Sequence, residues 1–226
     1  MASLAQLLAI HGSILVLDAA SGSVQIGLLR KDQPAIWQHM AGDAGQQLFT
    51  GAELCLRQAG LSLSEVAAFV FCEGPGSMLG VRTAAMAIRT WTGLKPRPVY
   101  RFQSLALLAQ GLDQQSALIP FSVIADARRD TWHCVTVNSR GIVQPLRRVP
   151  STELAQDPTP LRIPSAFRAW APPPRPGEDC TYHLPDLFAR LLEADLFLAT
   201  ETPDSFQHES PEYKKWTAEV HQAPPR

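Results

Sequence analysis

No apolar run in the sequence is long enough to cross a bilayer: the longest, such as Val66–Cys72, fall far short of the roughly 20 residues a spanning helix needs. Charge of one sign is missing too. The formal net charge is -1, which argues against a general nucleic-acid binder relying on many phosphate-neutralising cations. With 46% apolar residues and so little charge imbalance, the chain is not disordered as a whole, and 226 residues suffice for a genuine core. Cysteine is sparse: Cys55, Cys72, Cys134 and Cys180 form no CxxC pair. That excludes a zinc ribbon and a disulfide framework, and predicts reduced, mostly buried thiols in a cytoplasmic protein. The six histidines include no HExxH and no pair at i, i+4, so no metal site built on one helix is visible. The first basic residue is Arg30, which leaves no charged n-region and predicts no secretory leader.

What is present is unevenly spread. Residues 1–127 balance 8 basic against 8 acidic side chains, residues 128–175 set eight arginines against three acids, and residues 177–221 are strongly acidic. Nine of the 19 prolines lie between Pro145 and Pro176, a density expected to exclude a central strand or helix there. A compositional break at 110–117 predicts a first subdomain over 1–112 and a smaller, degenerate one over 113–226.

In the first half, Ser13–Asp18, Val24–Leu29 and Ala35–His39 read as strands, the first two joined by a Ser21-Gly22-Ser23 turn. Helical spacing of Leu48, Ala52, Cys55, Leu56 and Ala59 predicts a helix over Ala44–Ala59, stopped by Gly60. Val66–Cys72 is a strand covered on both faces, Met78–Thr92 a helix, Val99–Tyr100 a strand and Ser104–Gln110 a helix. In the second half, Leu118–Ala125 and Thr131–Val137 read as strands, Ile142–Val149 as a possible third, and Asp186–Leu198 as a helix. Both halves open on a strand–turn–strand unit whose first strand ends in Asp (Asp18, Asp126). The pattern is an α/β fold with an internal duplication, the second copy eroded.

The segment Glu73–Arg82, EGPGSMLGVR, is the most specific in the chain. A strand ends, Gly74, Pro75 and Gly76 turn the backbone, and Ser77 stands where an N-cap belongs. Two readings fit: a tight strand-to-helix turn, or an anion-friendly helix end. Arg82 sits in the first turns of the helix, where the dipole disfavours a cation, so Glu73 or a partner's carboxylate is expected to hold it. The helix also has two smooth stripes. Val81, Ala84, Ala85, Ile88 and Trp91 suit a sheet; Thr83, Met86, Ala87 and Thr90 form a second, nearly uncharged stripe, either buried within the chain or shared with a partner.

GPGSMLGVR resembles the GPGS-F-T-G-hydrophobic-R signature of the bacterial TsaB (YeaZ) family. Asp126-Ala127-Arg128-Arg129 is similar to that family's D-A-R motif, Leu17–Ser21 to its opening strand end, and Ser210-Pro211-Glu212-Tyr213 to its closing P-x-Y element. The resemblance runs over about residues 13–140, is weak over 141–205, and returns near the C-terminus. It implies an actin/Hsp70/sugar-kinase-like (ribonuclease H-like) fold of two subdomains. It also implies a non-catalytic subunit that pairs with a TsaD-type transferase in making threonylcarbamoyl-adenosine beside the tRNA anticodon, with a TsaE-type ATPase as a further partner. No metal or nucleotide is then expected on this chain; both belong to partner subunits, and tRNA is met only through the complex. Family pairing through helices implies an interface on Ala44–Ala59 and Met78–Thr92, with Leu48, Ala52, Thr83, Met86, Ala87 and Thr90 facing the partner, or a second copy of the chain. The motif residues carried over are Asp18, Ser21, Gly74, Pro75, Gly76, Ser77, Gly80, Arg82, Asp126, Arg128, Arg129 and Tyr213.

Residue chemistry points the same way. Kinase-like members of the fold hold phosphates in two Gly-rich turns, because only backbone without Cβ fits so close. The first turn survives in part as Asp18–Ser23; at the second, Asp126 is followed by Ala127 and two arginines expected to fill the phosphate space. Arg128 is expected on Asp126, Asp130 or a partner's acids, or in an ion pair bridging the subdomains. Departures from the family pattern are Ala19 for a hydroxyl residue, Met78-Leu79 for Phe-Thr, Gly42–Gln46 at the start of the first long helix, and Lys214-Lys215 in the closing motif. The alternatives are an autonomous ATP-dependent phosphotransferase with Asp18 as base, or a paralogue with another partner. No Ser–His–Asp arrangement supports a peptidase.

Overall fold

The computed structural model describes residues 1–113 and 119–208. In chain order the first half holds α1 (Leu4–His11), β1 (Ser13–Asp18), β2 (Ser23–Arg30), β3 (Ile36–Ala41), α2 (Ala44–Ala59), β4 (Ala68–Cys72), α3 (Met78–Leu94), β5 (Val99–Phe102) and α4 (Ser104–Asp113). There follow β6 (Phe121–Asp126), β7 (Thr131–Val137), β8 (Arg147–Pro150), α5 (Ser151–Gln156), β9 (Leu161–Pro164), β10 (Glu178–Cys180), α6 (Leu184–Arg190) and β11 (Leu198–Ala199).

Two sheets result, ordered β11-β5-β4-β1-β2-β3 and β10-β9-β6-β7-β8. Without β11 they have the same plan. In each, three antiparallel strands come first (β1–β2–β3, β6–β7–β8), and two parallel strands extend the sheet on the other side of the first strand. The duplication read from the two Asp-ended strands is therefore present, and so is the erosion. β9 and β10 have 4 and 3 residues, and α5, at 6 residues, stands where the first half has the 16-residue α2.

Alternation along β1 sets the layers. Leu15 and Leu17 point to the face covered by α2 and α3, where they pack with Leu48, Ala52, Ala84 and Ile88. Ile14 and Val16 point the other way, into a core they share with Leu105 and Leu108 of α4, Phe188 of α6, and Val123 and Val135 of the second sheet. The central helix α4 thus lies between the sheets, with apolar neighbours from both. Three of the four cysteines are buried and all four are free.

Several elements differ from the sequence reading. The proline-rich stretch does contain an internal strand and a helix: β9 lies between β6 and β10, and α5 follows β8. Proline is tolerated because it sits at element ends, Pro150 before α5 and Pro160 and Pro164 flanking β9, where a missing donor breaks no interior ladder bond. Ile142–Val149 shortens to β8, with Val143 bridging to Val137. The helix expected over Asp186–Leu198 ends at Arg190. Beyond it Phe197 exchanges backbone bonds with Ala2 (2.8 and 3.1 Å), and β11 joins the edge of the first sheet. The N-terminal helix α1 was not anticipated. Its signal is a capping box: Ser3 and Gln6 bond reciprocally, and Leu4 and Leu7 enter the shared core.

Candidate functional site

The turn after β1 and the start of α3 are built against each other. Ser77 caps α3, its backbone N–H donates to the Ala20 carbonyl (2.7 Å), and Gly80 N–H donates to Ser77 Oγ (3.4 Å). A Cβ at Gly76 or Gly80 would collide with the carbonyls of Ala20 and Ala19 respectively. Gly76 and Gly80 are thus explained by close backbone packing, and the Ser77 and Gly80 amides are already engaged. Gly74 has φ 104° and accepts from Ser104 N–H, while Pro75 O accepts from Ser104 Oγ (2.6 Å). Ser21 closes the β1–β2 turn through Ser23.

Asp18 does not face solvent. Its Oδ1 accepts from Ala20 N–H (2.8 Å) and its Oδ2 from the Tyr182 hydroxyl (2.5 Å), and it is fully buried. Burial pushes its pKa up against the opposing pull of these hydrogen bonds. Tyr182 comes from the second half, so the contact joins the halves. Gln25 repeats it nearby, donating to Tyr182 O and accepting from Leu184 N–H. Sequence reasoning missed this bridge; a buried Gln in an otherwise apolar strand was its one trace.

Asp126 occupies the matching position at the end of β6, at the surface. Its Oδ1 accepts from Arg128 N–H (2.5 Å) and its Oδ2 from Trp170 and Ala171 N–H (2.7 and 2.9 Å). Partial burial pulls its pKa up, but these three amides and the Arg128 charge outweigh it and hold the carboxyl below its ordinary value. Arg128, Arg129 and Asp130 all adopt left-handed backbone (φ 64°, 51° and 55°). That conformation costs about 1–2 kcal/mol per residue, offset here by the Arg128–Asp126 bond and by Ser151 N–H donating to Asp130 O. Arg128 lies over the Trp170 ring, 4.5 Å from its centroid, and forms no ion pair among the described residues. The bridging ion pair expected of it is absent there.

A cleft of about 610 Å³ separates the two halves, bringing together Ser21, Gly76, Ser77, Gly80, Asp126 and Arg128. Its walls also carry Ala19, Met78, Leu79, Gly42 and Asp43, from three of the four departures from the family pattern. Arg128 lines this cleft and leaves it open, and Arg129 is not among its lining residues, whereas the sequence predicted that the two would fill it. Arg82 lies outside it, and Leu79 is shared between it and the α2–α3 face. Glu73 pairs with Arg101 and accepts from Gln103 Nε2 (3.1 Å), so it does not hold Arg82, which stands exposed. Tyr213, with the rest of the closing motif, lies outside the described residues, as do 114–118 of the compositional break.

On the outer side, α2 and α3 frame a shallow, mostly apolar groove of about 400 Å³ lined by Phe49, Leu79, Thr83, Met86, Ala87 and Thr90, with the cation Arg82 at its edge. Phe49, Leu79 and Met86 are 48%, 69% and 55% exposed. Of the six residues assigned to an interface, Thr90 and Met86 are open, Thr83 is half-buried, and Leu48, Ala52 and Ala87 are buried in their own chain. Ala87 forms part of the groove floor because α2 packs against that flank of α3. Phe49, absent from the sequence-based set, is the large apolar residue of α2 that reaches the surface.

Comparison with known proteins places these features in context. A family model described as TsaD, tRNA N6-adenosine threonylcarbamoyltransferase, matches residues 45–144, a little under half of the chain. None of the curated proteins matches it. Among solved structures, YeaZ from Pseudomonas aeruginosa superposes with a TM-score of 0.60 at 22% identity, over 80% of this chain and 90% of its own. A second structure, described as an uncharacterized protein with similarity to peptidase YeaZ from Pseudomonas aeruginosa, gives the same TM-score and identity over 79% and 89%. The resemblance to the TsaB (YeaZ) family is borne out, and the fold is of the actin/Hsp70/sugar-kinase-like type. Among the described residues no helix is long and apolar enough to cross a membrane.

Proposed function

We propose that this chain is a TsaB-like subunit of the machinery that forms threonylcarbamoyl-adenosine next to the tRNA anticodon, acting in the cytoplasm as a non-catalytic activator of a TsaD-type transferase. The observation that carries the reading is the groove between α2 and α3. Three large apolar side chains stand open there beside small neighbours and a single cation, Arg82, on the helices through which the family pairs. The family model and the shared fold support the pathway. The engaged state of Asp18, both of whose carboxyl oxygens are taken by groups of the chain itself, supports the non-catalytic part. Metal and nucleotide then belong to the transferase and to a TsaE-type ATPase, and the chain meets tRNA through the assembly.

Co-expression with a TsaD-type transferase followed by size-exclusion chromatography tests this. The expected result is co-elution in near-equal amounts for the wild type and loss of the complex for Met86→Arg, because a charge buried without a partner at an interface costs several kcal/mol. A wild-type chain that never co-elutes, or a Met86→Arg variant that still does, overturns the groove assignment. Stoichiometric ATP binding by the isolated chain, abolished by Asp18→Ala, would instead favour an autonomous phosphotransferase. A concentration-dependent homodimer lost in Met86→Arg would mean that a second copy competes for the same face.

A further inference from the structure

The eight arginines between residues 128 and 175 are not equivalent once folded. Arg147 and Arg162 are paired with Glu153 and Glu178, and Arg175 donates to the backbone oxygens of Leu154 and Thr159. Elsewhere Arg89 and Arg101 likewise find Asp204 and Glu73. Arg140 stands apart in the turn between β7 and β8, and the remaining four of the eight, which have no carboxylate partner among the described residues, gather at one place. Arg128 and Arg129 form the tip of the β6–β7 turn, Arg148 crosses beneath it to Thr131 Oγ1 (2.8 Å), and Arg168 comes from the loop after β9.

Trp170 organises this cluster. It is 52% exposed, and the guanidinium carbons of Arg168 and Arg128 lie 3.8 and 4.5 Å from its ring centroid. Two like charges are thereby held against one indole. Of the two acids beside them, Asp126 is committed through both oxygens to backbone amides of the two loops that carry the arginines, and Asp130 stands exposed in the same turn without an ion pair among the described residues. Stacking on the indole uses the flat face of a guanidinium and leaves its N–H edge pointing outward, in the fork that matches oxyanions. His133, behind the turn, has its pKa lowered to about 4 by burial first, and then by His208 and Arg148, in keeping with a positive environment.

We propose that this rim, with Arg128, Arg129 and Arg168 arranged around Trp170, contacts the phosphate backbone of RNA. The inference rests on the tRNA-modification reading above, which supplies an RNA, and deepens it by giving this chain its own contact. An extended polyanion suits the site better than a bound nucleotide does. Arg128 and Arg168 stand at the wall of the cleft with Arg129 beyond it, and the glycine backbone that would cradle nucleotide phosphates, at Gly76 and Gly80, is packed against the Ala20 and Ala19 carbonyls. Contacts of this kind position RNA without reading its sequence.

The test uses tRNA carrying 4-thiouridine, irradiated with the wild-type chain, alone and with its transferase partner, and the cross-linked peptides mapped. Cross-links in 128–130 or 166–171 are expected. In parallel, binding anisotropy is followed against salt for the wild type, for Arg168→Gln and for Arg128→Asn, since Asn tolerates left-handed backbone. Each variant is expected to weaken tRNA binding several-fold and to flatten the log Kd against log salt slope by about one. Tight assembly with the transferase should persist. Cross-links confined to other surfaces, or unchanged salt slopes, would overturn the proposal. Failure of the wild type to assemble with the transferase at all would sink the underlying reading instead, and the same samples report both.

Discussion

Asp18 and Asp126 end corresponding strands of the two halves, and each accepts a hydrogen bond from the amide two residues on, yet their surroundings drive them apart. Asp18 is enclosed, and burial raises its pKa above the ordinary 3.8; Asp126 is near the surface, and amides together with Arg128 lower it. The consequences for stability have opposite signs. Above pH 3.8 the unfolded chain has lost the Asp18 proton while the native state keeps it, so this residue's contribution falls as pH rises toward its native pKa. For Asp126 the contribution is complete above pH 3.8 and is lost as pH falls through its lower native pKa. Urea unfolding across pH 3 to 8 is expected to show the two effects separately. Asp18→Asn should reduce the decline of stability with rising pH, and Asp126→Asn should reduce the decline on acidification. Matching profiles for the two variants would refute this account of their environments.

At the scale of elements, α3 decides most. Its N-terminus is locked to the β1–β2 turn through Gly80, where a methyl group would meet the Ala19 carbonyl. Gly80→Ala is expected to cost about 1–3 kcal/mol, the range of overpacking in a dense core, read as a lower urea midpoint. Its outer flank is divided. Ala87 is 3% exposed and Met86 55%, so Ala87→Arg is expected to impair folding of the single chain, while Met86→Arg leaves its melting temperature within a few degrees of the wild type. Near-equal melting temperatures for the two would mean that the α2–α3 packing is looser than described.

That division was not legible in the sequence. Helical periodicity puts Thr83, Met86, Ala87 and Thr90 on one stripe, but only the position of α2 determines which edge of the stripe it covers. Other features were legible because they are local. α2 has the bounds its apolar spacing and Gly60 predict, and β1 and β7 begin and end where their apolar runs do. Misreadings concentrate where long-range partners decide. Phe197 is extended because Ala2 offers it backbone bonds, and β9 forms in a proline-rich stretch because β6 and β10 flank it. The turn motifs at Asp18 and Asp126 stood out in the sequence, but Tyr182, which reaches across to Asp18 from 164 residues away, carried no local mark.

Taken whole, the molecule is one cooperative body built from two copies of a plan. The halves share a core through α4 and α6, and Asp18–Tyr182 and Gln25–Leu184 cross between them. The segment after β11 adds a strap. Thr200 N–H bonds to Val99 O, Asp204 pairs with Arg89, Phe206 N–H bonds to Glu73 O, and His208 stacks on His133 of the second sheet, 5.1 Å between centroids. Such a body should not melt half by half, because neither sheet can expose its inner face without also stripping the other's. Leu108, fully buried on α4 between the sheets, tests this. Leu108→Ala is expected to cost about 2–5 kcal/mol, the range for truncating a buried leucine. The loss should appear equally in hydrogen exchange of β1 and β4 in the first sheet and of β6 and β7 in the second, within a single calorimetric transition. Protection lost in one sheet and retained in the other would show that the two halves unfold separately. The cleft between them would then open far more cheaply than a shared core allows.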